Sequence, residues 1–292
     1  MQNDQARTIS GRRFRAWTAC NWSGGISILA VTLVCLAGPA SALTQDQTLS
    51  GATAVTTRLP EDTLSLEQRA DIYMVRKYYP EAVQAYSRLT QAEPYNAVFH
   101  NKLGIAYHQM QDLNAARRSY RRAIELNPDY AQAINNLASV EYARNRYRDA
   151  ILTYLRALEL NPGDAVIYGN LGTAYFAREE FEYATQSFRY ALMLDPEVFR
   201  RSGRVGTIVQ ARDDSDPAAF NFYMAKTYAS IGNADDTFQF LLKAWEEGYP
   251  DLYDTILEEE VFQFLTVDPR FEQLLALISS TGESSATTPI RQ

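Results

Sequence analysis

Ten residues, RAIELNPDYA at Arg122–Ala131, return as RALELNPGDA at Arg156–Ala165, and a looser copy, YALMLDPEVF, starts at Tyr190; each offset is 34 residues. A fixed period of this length signals one supersecondary unit stacked on copies of itself, since a single unit of that size cannot bury its own apolar face. In this register Thr63 to Val198 divides into four blocks without a gap: 63–96, 97–130, 131–164 and 165–198. One position is always small (Ala70, Gly104, Ala138, Gly172), and twelve residues later stands Ala82, Ala116, Ala150 or Ala184. Helices approach closely only where side chains are small, so these positions mark the seam between a first helix, A, and a second, B. Bulky apolar residues at helical spacing surround them, such as Tyr168, Leu171 and Tyr175, then Phe188 and Leu192.

Between the helices, Gln111–Asn114 and Arg144–Arg146 suit tight turns. Each block closes on Pro94, Pro128, Pro162 or Pro196. Proline lacks the backbone N–H and clashes with the preceding turn, so it is expected to stop helix B and to open the next helix A.

These residues resemble a known family. Tyr168-x2-Leu171-Gly172-x2-Tyr175, with Ala184-x3-Phe188 and Pro196, is similar to the tetratricopeptide repeat pattern, and His100-x2-Leu103-Gly104-x2-Tyr107, Ala116-x3-Tyr120 and Pro128 repeat it. The third block departs with Glu141 at the aromatic position, and the first with Arg69 at the leucine position. The resemblance implies an all-α fold, a right-handed superhelical tetratricopeptide-repeat solenoid whose A helices line a concave groove and whose end is closed by C-terminal capping helices.

The flanks read differently. Arg7, Arg12, Arg13 and Arg15, then the apolar run Ile26–Gly38 and Ala40-Ser41-Ala42, form the pattern of a secretory signal peptide over residues 1–42. The apolar run has 13 residues, short of the roughly 20 that span a bilayer, which favours cleavage over an uncleaved membrane anchor. Removing four Arg and one Asp leaves (28 − 4) − (35 − 1) = −10 for the exported form. Both cysteines, Cys20 and Cys35, lie in that segment, so residues 43–292 have no thiol for a disulfide, a metal or a nucleophile. Residues 43–62 read as a flexible linker. The absence of cysteine and of an Asn-x-Ser/Thr sequon from residues 43–292 points to the bacterial periplasm or to secretion.

After Val198 the period breaks. Residues 199–217 read as a connector with room for a short hairpin, 218–251 as a divergent fifth helix pair opened by Asp216-Pro217, 252–279 as two short capping helices, and 280–292 as a disordered tail. Arg200, Arg201, Arg204 and Arg212 in the connector are expected to be solvated or paired with nearby acids rather than to form a docking patch.

Catalytic chemistry finds little purchase. His100 and His108 lie eight apart on one helix, whereas a two-histidine metal site prefers i and i+4. Gly-rich phosphate loops, Gly-x-Ser-x-Gly and HExxH are missing from the sequence, and Glu258–Glu260 reads as a solvated face. The expectation is therefore a non-enzymatic protein without cofactor or metal. The acidic balance argues against a nucleic-acid partner.

Binding has better candidates. Four residues after each small position stand Met74, His108, Tyr142 and Phe176, expected to project into the groove as anchors. Beside them run Lys102, Asn136 and Asn170, with Asn101 and Asn135 adjacent; their amides either pair with the backbone of an extended peptide or tie neighbouring repeats together. Some members of the family grip a partner's terminal carboxylate with Lys, Arg and Asn. Here Glu67, Asp71 and Val166 occupy equivalent positions, so the resemblance does not extend to that clamp, and a neutral or basic ligand suits the acidic entrance better. The reading is an exported interaction scaffold for a protein or peptide in cell-envelope assembly. Its rivals are an enzyme using residues 199–279 and a self-associating structural module.

Overall fold

In the computed structural model, residues 64–200 and 216–285 are described, all within one compact unit spanning Thr57–Gln292. The signal-peptide and linker readings, the connector hairpin, and Arg201, Arg204 and Arg212 lie outside the described residues.

The repeats fold as helix hairpins in the expected register: α1 (Leu66–Val75) with α2 (Tyr79–Ala92), α3 (Ala97–Gln109) with α4 (Leu113–Leu126), α5 (Ala131–Ala143) with α6 (Tyr147–Leu160), and α7 (Ala165–Phe176) with α8 (Phe181–Leu194). Each B helix packs on its own A helix and on the next one, which makes two layers of helices stacked in chain order. At the seams Ala70, Ala82, Ala116, Ala138, Ala150 and Ala184 are wholly buried. Opposite each small A-helix residue lies one buried ring, Tyr86, Tyr120, Tyr154 or Phe188, again spaced by 34. Among the described residues the structure has helices and turns and no strand, an all-α repeat solenoid.

The local signals behave as the chemistry requires. Ser65 and Gln68 form a reciprocal capping box at α1, and the side chains of Asn96, Asp112 and Asp164 accept backbone N–H groups at the starts of α3, α4 and α7. The prolines stop the B helices but do not open the A helices. They sit in the loop two residues after each B helix, and after Pro94, Pro128 and Pro162 the next A helix begins three residues further on. The A–B turns carry a left-handed residue at one repeated position: Lys77, Gln111, Asn145 and Glu179, with φ of 61–62°. Only the fifth turn supplies glycine there, Gly232 at φ 74°.

The fifth hairpin is α9 (Pro217–Ala229) and α10 (Ala234–Glu246), with Asp216 capping α9 as its sequence suggests. The end of the stack differs from expectation. Three elements rather than two follow: α11 (Leu252–Glu258), a 3-10 helix Glu260–Val267, and α12 (Pro269–Ser285). Helix α12 runs through residues 280–285, which the sequence reading assigned to a disordered tail. The apolar residues Phe271, Leu274 and Ile278, spaced for one helical face, hold α12 down. With Leu252, Ile256, Phe262 and Leu265 they cover Phe222, Ala225, Leu241 and Ala244 of the fifth hairpin, closing the last open apolar face.

Candidate binding face

An α-helix turns about 100° per residue, so residues four apart differ by only about 40° and share one side. Met74, His108, Tyr142 and Phe176 therefore flank the stripe of small residues and lean toward their own B helices. Met74 packs on the cluster around Ala70 and Tyr86. The ring of His108 meets Tyr120 edge-on at 6.5 Å, and Tyr142 lies against Tyr147 at 5.3 Å. Phe176 is 8% exposed, walled in by Phe181, Phe220 and Tyr223. The row is a set of packing contacts, not the projecting ridge expected from the sequence. Burial holds the His108 imidazole below the ordinary histidine pKa.

The amides are likewise committed. Asn170 donates to Asn135 (3.0 Å), Asn135 to Asn136 (3.4 Å), Asn136 to Asn101 (3.0 Å) and Asn101 to the hydroxyl of Tyr130 (3.3 Å). This relay crosses three successive A helices, and Asn101, Asn135 and Asn170 are buried. Of the two roles open to these amides, the structure gives them the one that ties repeats together. A buried amide left unpaired costs more than the bond itself contributes, which makes the ladder a register device.

Lys102 closes the same ladder at its first repeat. Its ammonium donates to Glu67 (2.8 Å) and to both oxygens of Asp71 (2.9 and 3.0 Å), while Tyr86 donates its hydroxyl to Asp71. Burial pulls the lysine pKa down, but the hydrogen bonds to Glu67 and Asp71 outweigh it and raise the value above the ordinary one. Burial, then the bond to Asp71, pushes the Tyr86 phenol up. The acidic entrance inferred from Glu67 and Asp71 is thus partly offset by the chain's own lysine, one cation against two carboxylates, and Lys102 is bound up as well.

What the A helices do present lies about 100–140° from the small stripe. Those positions come one and five residues after the small residue and six before it. They carry Asp71, Ile105, the buried Ser139 and Thr173; Val75, Gln109, Ala143 and Ala177; and Val98, Gln132 and Val166. Val75 is 84% exposed and Val98 44%, with Gln109, Gln132 and Ala143 also exposed. Direct contacts of α3 with α5 and of α5 with α7 draw the A helices together beneath this face. Apart from Asp71, which is paired with Lys102, the wall is apolar and amide in character. Its residues are readable from the register once the angular offset is applied, but nothing in their types marks them out.

Two other expected features are accounted for. Arg200 forks onto Asp236 (2.7 and 2.8 Å) and reaches Glu197 (3.2 Å), so this part of the connector pairs with acids. Within Glu258–Glu260, Glu259 accepts from Lys226 (2.7 Å) and joins the cap to α9.

The helix hairpins, the small-residue seams and the satisfied inter-repeat ladder define a repeat scaffold built to display one face of its A helices. Family models of the tetratricopeptide repeat match residues 101–165 and 153–186, and the chain is a tetratricopeptide-repeat protein. RNA polymerase II-associated protein 3 of Xenopus laevis is 33% identical over 73 residues, which are 25% of this chain. The match spans 11% of that relative's own length. Among solved structures, MamA 41-end from Desulfovibrio magneticus RS-1 is similar at a TM-score of 0.45 and 18% identity, over 62% of this chain and 92% of that one. The first TPR of Spaghetti (RPAP3) bound to the HSP90 peptide SRMEEVD is similar at a TM-score of 0.38 and 25% identity, over 39% of this chain and 93% of that one.

Proposed function

We propose that this chain is an exported scaffold of the cell envelope that binds a segment of another protein along its A-helix face. The observation that carries the reading is the internal satisfaction of that wall. Lys102, Asn101, Asn135 and Asn170 all spend their polar groups within the protein, leaving Val75, Val98, Gln109 and Gln132 as the exposed contact residues. Such a wall offers no cation for a terminal carboxylate and suits an apolar or helical segment, which would gain affinity from buried area rather than from charge. The export part rests on the signal-peptide pattern of residues 1–42 and on the cysteine-free sequence after it.

The test is affinity capture from the envelope with wild type, with Val75→Asp/Val98→Asp and with Tyr142→Ala/Phe176→Ala. The Val75/Val98 variant is expected to lose its partner with its helical signal intact, because both positions are exposed and a charge on the wall must be desolvated on docking. The Tyr142/Phe176 variant is expected to lose stability first. Capture of the same partner by the Val75/Val98 variant would refute the assigned face, and a chain found uncleaved in the cytoplasm would refute export.

A further inference from the structure

The outer face of the array carries an excess of basic residues: Arg118, Arg121, Arg122, Arg148 and Arg156 stand among two carboxylates, Glu125, which pairs with Arg122, and Glu159. Repeat register puts Arg118 beside Leu152 and Arg121 beside Leu155, each pair 34 residues apart on the neighbouring B helices α4 and α6. Arg148 precedes Leu152 by four residues and Arg156 follows it by four, so α6 presents Arg148, Leu152, Leu155 and Arg156 on one side. Arg118, Arg121, Arg148 and Arg156 are exposed, and Leu152 and Leu155 are 60% and 38% exposed. Among the described residues Arg118, Arg121 and Arg148 have no carboxylate partner, and Arg156 reaches only the carbonyl of Pro128 (3.2 Å). The arginines of this region also crowd one another: the guanidinium of Arg117, one turn from Arg121, is pushed below its ordinary pKa by burial and then by Arg121, Arg146 and Arg144.

The opposite sign gathers at the C-terminal cap. Residues 246–260 hold seven carboxylates and no Lys or Arg. Of these, only Glu259 is ion-paired among the described residues, with Lys226. Helix α11 sets Asp254 and Glu258 one turn apart, next to the equally spaced Tyr253 and Leu257, which are 37% and 51% exposed. One face is basic with apolar residues between, the other acidic with apolar residues between. Within one chain they cannot meet, because hairpin α7–α8 and hairpin α9–α10 stand between α6 and the cap.

We propose that the outer face of α4 and α6 is a docking site for the acidic cap, centred on α11, of a second copy of this chain. The contact joins two different surfaces, so each copy keeps one free donor and one free acceptor face and association continues head to tail into a ring or a filament. Repulsion from the overall charge of −7 is largely screened beyond the Debye length, about 8 Å at physiological ionic strength, so the local pairing of the two faces decides the contact. Arginine forks and carboxylates fix the register, while Leu152 and Leu155 against Tyr253 and Leu257 supply the apolar core that interfaces need. This surface lies on the B helices and leaves the A-helix wall open, so the inference stands apart from the function proposed above.

The test uses the full chain and two charge-reversed variants, Arg118→Glu/Arg121→Glu and Asp254→Lys/Glu258→Lys, followed by sedimentation velocity at low and at high salt. Wild type is expected to form oligomers larger than dimers that shrink as salt rises. Each variant alone should associate about tenfold or more weakly. An equimolar mixture should regain oligomers larger than dimers, because the two reversed faces are complementary to each other just as the two unaltered faces are. Circular dichroism verifies that both variants keep their helices. Both also keep residues 1–63, so association through the N-terminal apolar run would persist in them unchanged. A monomeric wild type at low salt, variants that associate like wild type, or a mixture that stays monomeric would each overturn the proposal.

Discussion

Gly172→Ala sets two physical effects against each other. Alanine is the better helix former by about 0.8–1.0 kcal/mol, so local propensity alone makes the variant more stable. The structure argues the reverse: a Cβ built on Gly172 would stand 2.5 Å from two ring carbons of Phe188 and 3.1 Å from a third. Carbon pairs prefer about 3.5–4.0 Å, so the ring or the helix must move by roughly 1 Å. Phe188 is wholly buried and meets Phe199 edge-on at 5.5 Å, which leaves it little space to yield. Overpacking of this kind costs about 1–3 kcal/mol, and after the propensity gain the net expectation is a loss of about 1 kcal/mol. Urea unfolding followed by circular dichroism measures it, with Gly172→Ala/Phe188→Leu as the companion in which the smaller side chain relieves the clash. A Gly172→Ala protein more stable than its parent would refute the seam argument, because propensity would then have decided alone.

The amide ladder and the buried histidine give two more expectations. Asn135→Ala removes the acceptor for Asn170, which is 3% exposed, and should cost about 1–3 kcal/mol, read as an earlier urea midpoint; an unchanged midpoint would mean that water replaces the bond. His108, held below the ordinary histidine value of 6.5 by burial, binds fewer protons folded than unfolded. Its contribution to stability is therefore complete above about pH 6.5 and is lost as pH falls toward the folded-state value, so melting of wild type should drop faster below pH 6.5 than melting of His108→Leu. Parallel pH profiles for the two proteins would show that burial does not set the titration.

The sequence by itself determined the repeating unit. Small residues at Ala70, Gly104, Ala138 and Gly172 and an alanine twelve later admit only close helix pairs, and the 34-residue period places every pair in register. Capping is legible at Asp216, because its side chain acts through a bond to its own neighbour, the backbone N–H of Ala219. Side-chain assignments beyond the hairpin did not follow, because they depend on what the adjacent repeat brings up. Asn135 spends its amide on Asn136 and Asn170, and Lys102 meets Glu67 and Asp71 from the previous repeat. Phe176 faces Phe220 and Tyr223, which come from beyond the break in period. Helix α12 outlasts its expected end because its apolar side packs on the cap, a contact that composition does not show. Periodicity is a property of the chain, so the chain reveals it. Which polar groups remain available to a partner is settled only once the helices stack, because burial and a neighbour's hydrogen bonds decide which of them are already used.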